Sequence, residues 1–131
     1  KMSKSKNNII DIFLDDKSLK KQIMKIQTKS LSVDEQKDPD DCNVFRLYKI
    51  IAEEENIKNL ASRYRKGGIG YGESKEILYS EILNKFAKNR EKFFKLMDDK
   101  EIVERLLIDG AAKARVQAQK VLKRVRASVG Y

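Results

Sequence analysis

Residues 73–98 read ESKEILYSEILNKFAKNREKFFKLMD and residues 99–128 read DKEIVERLLIDGAAKARVQAQKVLKRVRAS. In the first stretch, Leu78, Ile82, Phe86, Phe93 and Met97 recur near the 3.6-residue period that lines up side chains along one face of an α-helix. In the second, Asp99 stands where a capping side chain is wanted. Val103, Leu107, Gly110, Ala114, Ala118, Val121 and Val125 form the matching stripe. Gly110, Ala111, Ala112 and Ala114 keep that helix slim, so a neighbouring helix could approach closely. Glycine inside a helix costs about 1 kcal/mol relative to alanine, and close packing is the expected compensation.

The preceding residues continue the helical pattern in shorter pieces. Gly67-Gly68-Ile69-Gly70-Tyr71-Gly72 reads as a flexible turn between helices. A dinucleotide-binding loop would need a strand before it, and a basic helix stands there instead. That helix is expected to open at Asn56 and run from Ile57 to Lys66. Gly67 sits at the left-handed C′ position, and Arg63, Arg65 and Lys66 suit the negative end of the helix dipole. Before it, Asp41 is expected to cap a helix reaching about Glu54, with Val44, Leu47, Tyr48 and Ile51 on one face. Residues 27–41 are turn-rich and acidic, ending Asp38-Pro39-Asp40-Asp41, and read as a connecting loop. Asp15 or Asp16 can cap a short helix to about Ile26 that carries Leu19, Ile23 and Ile26 on one face. Ile9, Ile10, Ile12, Phe13 and Leu14 form a small apolar patch behind a polar, basic loop of residues 1–8. No segment alternates as a strand does. The chain is expected to be all-α, a bundle of about five helices.

Composition narrows the chemistry. At 131 residues the chain fits one domain and can bury roughly two thirds of its unfolded surface. No apolar run approaches the 18 residues or so of a membrane span. One cysteine, Cys42, and no histidine exclude an internal disulfide, a Cys/His zinc site and any Ser-His-Asp or Cys-His mechanism within it. Cys42 reads as a small, partly buried hydrophobe. Because the chain starts at Lys1 and not at a methionine, it is expected to be a trimmed fragment or processed product with machinery upstream.

The net charge is +9, which favours polyanionic partners. In the last helix the acids Glu101, Glu104 and Asp109 come first; Lys113, Arg115, Lys120, Lys123, Arg124 and Arg126 follow with no acid among them. The helix dipole accounts for part of this polarity. Gln117 and Gln119 add groups that can bond bases or phosphates, so a nucleic-acid face competes with a merely solvated one. Arg63, Tyr64, Arg65 and Lys66, with Tyr71 beyond, form a second cluster of the kind on which unpaired RNA bases stack.

Lys1-Met2-Ser3-Lys4-Ser5 matches letter for letter the second signature of class I aminoacyl-tRNA synthetases. Asp38-Pro39-Asp40, Cys42-Asn43-Val44-Phe45, Leu47-Tyr48, Gly70-Tyr71-Gly72 with Lys75, and Gly110-Ala111-Ala112-Lys113-Ala114 follow in order. Together they resemble the C-terminal part of bacterial tryptophanyl-tRNA synthetases over nearly the whole chain. The tyrosyl enzymes share the signature, and a stand-alone helical RNA-binding module or a helical protein-interaction domain are the remaining alternatives.

The resemblance implies an enzyme that joins tryptophan to ATP and then charges tRNA(Trp), a ligase of the cytoplasm. Residues 1–15 would be the tail of the nucleotide-binding domain, and 16–131 the helical anticodon-binding domain. Lys1, Met2, Ser3, Lys4 and Ser5 would bind ATP, with Lys4 stabilising the leaving pyrophosphate and Lys1 assisting. ATP and Mg2+ would belong to the intact enzyme, and no metal ligand is assigned to this chain. Arg63, Arg65, Lys75, Lys113, Arg115 and Lys120 are the candidate tRNA contacts. The family's first signature contains histidines, which are absent here, so this chain alone is expected to be inactive. The family is homodimeric, and this part of it could be a monomer.

Overall fold

Side chains that accept free backbone N–H groups decide where these helices start. The computed structural model describes residues 8–130. The Asp15 carboxylate accepts a hydrogen bond from Ser18 N at 3.0 Å and starts α1, Asp16–Met24. Asp38 accepts from Asp40 N at 2.9 Å, and with Pro39 at the first position it starts a 3-10 turn, Pro39–Asp41. α2, Asn43–Ile51, follows directly, and its N-cap residue Cys42 makes no side-chain capping bond. Asp41, the expected cap, lies inside the 3-10 turn, with its carboxylate engaged by Lys29. α3, Glu54–Lys66, starts two residues before Asn56, because Glu54 and Glu55 suit the positive end of the helix dipole. Gly67 ends it at φ 81°. α4 spans Tyr71–Asp98. Asp99 caps α5, Lys100–Ser128, by accepting from Ile102 N at 3.2 Å. The described residues form five α-helices and no strand.

The chain divides into two units at Arg90/Glu91, the border falling inside α4. Every buried apolar side chain of the described residues belongs to the first unit. Leu19 and Ile23 of α1 meet Val44, Phe45 and Tyr48 of α2, Leu60, Ala61 and Tyr64 of α3, and Leu78 and Ile82 of α4. Cys42 and Ile69 join them from the connections. Ile10, Ile12 and Leu14 pack against this core, so the chain before α1 is continuous with the helical unit. α1 lies antiparallel to α4: Tyr79 OH donates to Asp16 O at 3.3 Å, Lys20 pairs with Glu76 at 2.8 Å, and Lys75 Nζ donates to Met24 O at 3.0 Å.

Two buried cations hold the irregular segments. Lys37, only 2 % exposed, donates from Nζ to the carbonyls of Ser32 (2.6 Å), Glu35 (2.9 Å) and Val33 (3.3 Å) and stands 5.5 Å from the Tyr71 ring centroid. The Gly67-Gly68 connection closes over the same loop, because Gly68 N donates to Val33 O at 2.9 Å. A Cβ on Gly67 would stand 2.4 Å from Asp34 O, so the turn expected to be flexible is closely packed and needs glycine there. At the other end, Arg90 donates from Nη1 to Ile12 O and to Leu14 O (3.0 Å) and from Nη2 to Asp16 Oδ1 (2.6 Å). The guanidinium thus ties the chain entering α1 to the middle of α4. Asp16 is largely exposed, so its ion pair contributes little and the two carbonyls matter more. Arg90→Ala is expected to destabilise the first unit by about 2 kcal/mol. Urea denaturation read by circular dichroism checks this, and a midpoint unchanged from wild type would refute the tie.

The second unit holds the end of α4 and all of α5. α5 has no buried residue, and nothing lies within 4 Å of a Cβ placed on Gly110. The helix that the small residues were expected to admit is therefore not found among the described residues. Met97, Leu106, Leu107 and Ile108 are each more than half exposed. The α4 stripe is likewise core only in its first half, at Leu78 and Ile82, with Phe86 half-buried.

Candidate nucleic-acid interface

Lys1, Met2, Ser3, Lys4 and Ser5 lie outside the described residues. The segment after them enters the first unit beside Arg90. From Arg90 back to Tyr71 at the start of α4 is roughly 28 Å at about 1.5 Å per residue. The first unit therefore has two ends: a proximal end that continues from the signature segment, and a distal end where residues 27–43 meet the Gly67–Tyr71 turn.

A cleft of about 210 Å³ opens at the distal end. The residues that follow α1 (Gln27, Thr28 and Lys29), the run Asp41–Asn43 and the first residue of α4, Tyr71, line it. Asn43 Nδ2 donates to Gln27 O at 3.3 Å, which fixes one side of the cleft to the other. The Lys29 ammonium pairs with Asp41 Oδ2, raising the lysine pKa and holding the Asp41 carboxyl below its ordinary value. Beneath, Tyr64 is fully buried and its hydroxyl lies 3.5 Å from Cys42 Sγ. Burial pushes the Tyr64 phenol far up, so it is neutral under any physiological condition. Tyr71 packs edge-on to Tyr64 with centroids 6.5 Å apart, and its phenol is also raised, again mainly by desolvation.

The six basic residues proposed from sequence fall in both units, Arg63, Arg65 and Lys75 in the first and Lys113, Arg115 and Lys120 in the second. Arg63 and Arg65 sit in the last turns of α3, with Arg63 paired to Glu73. Lys75 is committed to capping the C-terminal end of α1 through Met24 O, a structural contact that charge alone did not reveal. On α5, Lys113 and Lys120 are seven residues apart and share an edge of the helix. Arg115 is displaced from Lys113 by roughly 200° around the axis, so it faces a different side. All three α5 bases are exposed. Asp41, read from sequence as a helix cap, Asn43 and Thr28 were not expected to share a cleft; the acidic Asp38–Asp41 run was the available signal. Among the described residues no group of acids and cysteine could hold a metal ion. No described helix is long and apolar enough to cross a membrane.

In sequence and fold this architecture is similar to part of known aminoacyl-tRNA synthetases. The relatives are tryptophan–tRNA ligases. The chain is 41 % identical to that of Campylobacter jejuni over 131 residues, 99 % of this chain and 41 % of the relative. It is 39 % identical to that of Rhodopirellula baltica, over 99 % of this chain and 41 % of the relative. The crystal structure of tryptophanyl-tRNA synthetase from Campylobacter jejuni complexed with ADP and tryptophan superposes with a TM-score of 0.94 at 40 % identity, covering all of this chain and 41 % of that one. The chain thus spans about two fifths of the length of the relatives it matches. No family model matches it.

Proposed function

We propose that this chain is the tRNA-binding, anticodon-end part of a tryptophan–tRNA ligase working in the cytoplasm. The whole enzyme would use ATP, with Mg2+, to activate tryptophan and would then charge tRNA(Trp), as a homodimer. The observation that supports this best is the match of nearly all of this chain to part of tryptophan–tRNA ligases in both sequence and fold. In the activation step the tryptophan carboxylate attacks the α-phosphorus of ATP. An acyl–phosphate bond forms, the α–β bridge breaks, and the pyrophosphate leaves with the bonding electrons. Lys4, assisted by Lys1, would supply positive charge to that leaving group, and Met2, Ser3 and Ser5 would shape the loop around the nucleotide.

The helical unit has a separate task. Protein specificity for RNA resides largely in unpaired bases, and an anticodon loop presents them. Arg63, Arg65, Lys113, Arg115 and Lys120 are proposed to hold phosphates. Lys75 is proposed to act within the first unit, by fixing the C-terminal end of α1. The chain lacks most of the enzyme's length and all histidine, so it is expected to bind RNA without aminoacylating it.

The test is binding of the chain to a tRNA(Trp) anticodon stem-loop and to one with a scrambled loop, at 50 and 200 mM salt. Phosphate contacts make both affinities fall with salt. A preference for the cognate loop that survives at the higher salt is expected. Equal, wholly salt-dependent binding would mean that the chain grips phosphates without reading sequence, and no binding would refute the proposal.

A further inference from the structure

Burying an arginine costs free energy, and Arg90 is only 6 % exposed. It stands on α4 at the end of the first unit. Its guanidinium engages irregular backbone: Nη1 donates to Ile12 O and to Leu14 O at 3.0 Å, and Nη2 reaches Asp16 Oδ1 at 2.6 Å. The same turn is gripped from α1. Gln22 Oε1 accepts the Asp11 N–H at 3.0 Å, eleven positions away in sequence. Within the turn, the Asp11 carboxylate accepts from Phe13 N at 3.0 Å, and Leu14 N donates to Asp11 O at 3.3 Å. Side chains from two helices thus orient residues 11–14, which belong to no helix.

Stability alone is a poor account of this arrangement. Ile10, Ile12 and Leu14 already pack against the core, and an apolar side chain at position 90 would cover it without desolvating a charge. What apolar contact does not supply is direction. A planar fork of donors fixes where the carbonyls of Ile12 and Leu14 point, and with them the path of the chain that leads in. That chain is the signature segment, and Lys4 stands eight positions before Ile12.

We propose that Arg90, supported by Gln22, is a positioning residue for adenylate formation: it fixes the root from which Lys4 reaches the leaving pyrophosphate. This rests on the role proposed for Lys4, through which both side chains act. Eight residues span at most about 28 Å, so an error at their root is carried on to the ammonium. Misplacing a reacting group by about 1 Å can cost about a hundredfold in rate. A root held only by the packing of Ile12 and Leu14 would keep the fold and lose part of that placement.

The test is a double-mutant cycle in the complete enzyme, numbered as here, with Arg90→Gln, Lys4→Ala and the two together. Tryptophan-dependent pyrophosphate exchange gives kcat and the KM for tryptophan, at a temperature where thermal melts show each variant folded. Arg90→Gln should lower kcat about tenfold and leave the KM for tryptophan within about twofold of wild type. In the Lys4→Ala background it should change kcat by less than about twofold, because the group that it places is gone. Arg90→Lys keeps a donor but not the fork, and should recover part of the rate. A residue that only stabilises the fold would give the same fold loss with and without Lys4. That result, or a kcat for Arg90→Gln equal to wild type, overturns the positioning role and leaves the role of Lys4 standing. Full exchange activity in Lys4→Ala overturns both. If Arg90→Gln does not fold, Gln22→Leu carries the same cycle, since it removes the acceptor for Asp11 N and leaves Arg90 in place. A loss of kcat confined to the enzyme that has Lys4 is again expected, and an equal loss in both backgrounds, or none, again overturns the proposal.

Discussion

Replacing Lys37 by methionine is expected to destabilise the first unit by about 3 kcal/mol, although methionine fits the same volume and is more apolar. Lys37 is 2 % exposed and its ammonium is shared among three loop carbonyls. Methionine would leave the carbonyls of Ser32 and Glu35 without that donor, while Val33 O keeps Gly68 N, and each partly buried acceptor lacking a partner costs about 1–3 kcal/mol. Some will recover water as the loop relaxes, which is why the expected total lies near the lower end of their sum. Arginine should restore only part of the loss, because its planar fork cannot gather three acceptors around one nitrogen. For a unit of this size the loss corresponds to a melting temperature lower by about 15 °C. The same change should loosen the back of the Tyr71 ring and so weaken RNA binding. A melting temperature within two degrees or so of wild type would mean that water replaces the ammonium at no cost, and that the loop does not depend on it.

The second large effect is expected in the complete enzyme. Lys4→Ala should slow tryptophan-dependent pyrophosphate exchange by about 10²–10³-fold and leave the affinity for tryptophan nearly unchanged. A charge that acts on a leaving group stabilises the transition state more than the bound substrate, so the turnover number should fall and not the binding constant alone. In this chain alone the same substitution should leave the melting temperature unchanged, as most lysine substitutions in polar segments do. An exchange rate equal to wild type would remove Lys4 from the proposed role.

The pattern of legibility follows from what each residue bonds to. Asp99 as a cap, Gly67 as a helix terminator and the Leu78–Ile82 stripe were readable because local backbone geometry alone sets their roles. Five helices and no strand followed from the same periodicities. Lys37 and Arg90 were invisible. A lysine in an acidic loop and an arginine on a charged helix look solvated, and their acceptors are carbonyls of irregular backbone that no side-chain pattern announces. Ile69 was hidden among glycines that read as a loose turn, yet it is fully buried. Lys75 was readable as a base but not as the partner of Met24 O, a contact made across 51 positions of sequence. The distal cleft assembles from three separated segments, so only its acidic run stood out. The signature at Lys1–Ser5 was legible purely as letters, and its geometry lies outside the described residues.

The bare surface of α5 bears on how the molecule melts. A helix with no buried residue draws much of its stability from its own hydrogen bonds, capping and i,i+4 neighbours. Its thermal response is then a helix–coil transition, gradual and spread over tens of degrees, while the unit up to Arg90 loses its structure in a single narrow step. Ellipticity and calorimetry report different mixtures of the two, so one midpoint does not describe the chain. A mutational free energy has a defined meaning only for residues on the cooperative side of that border.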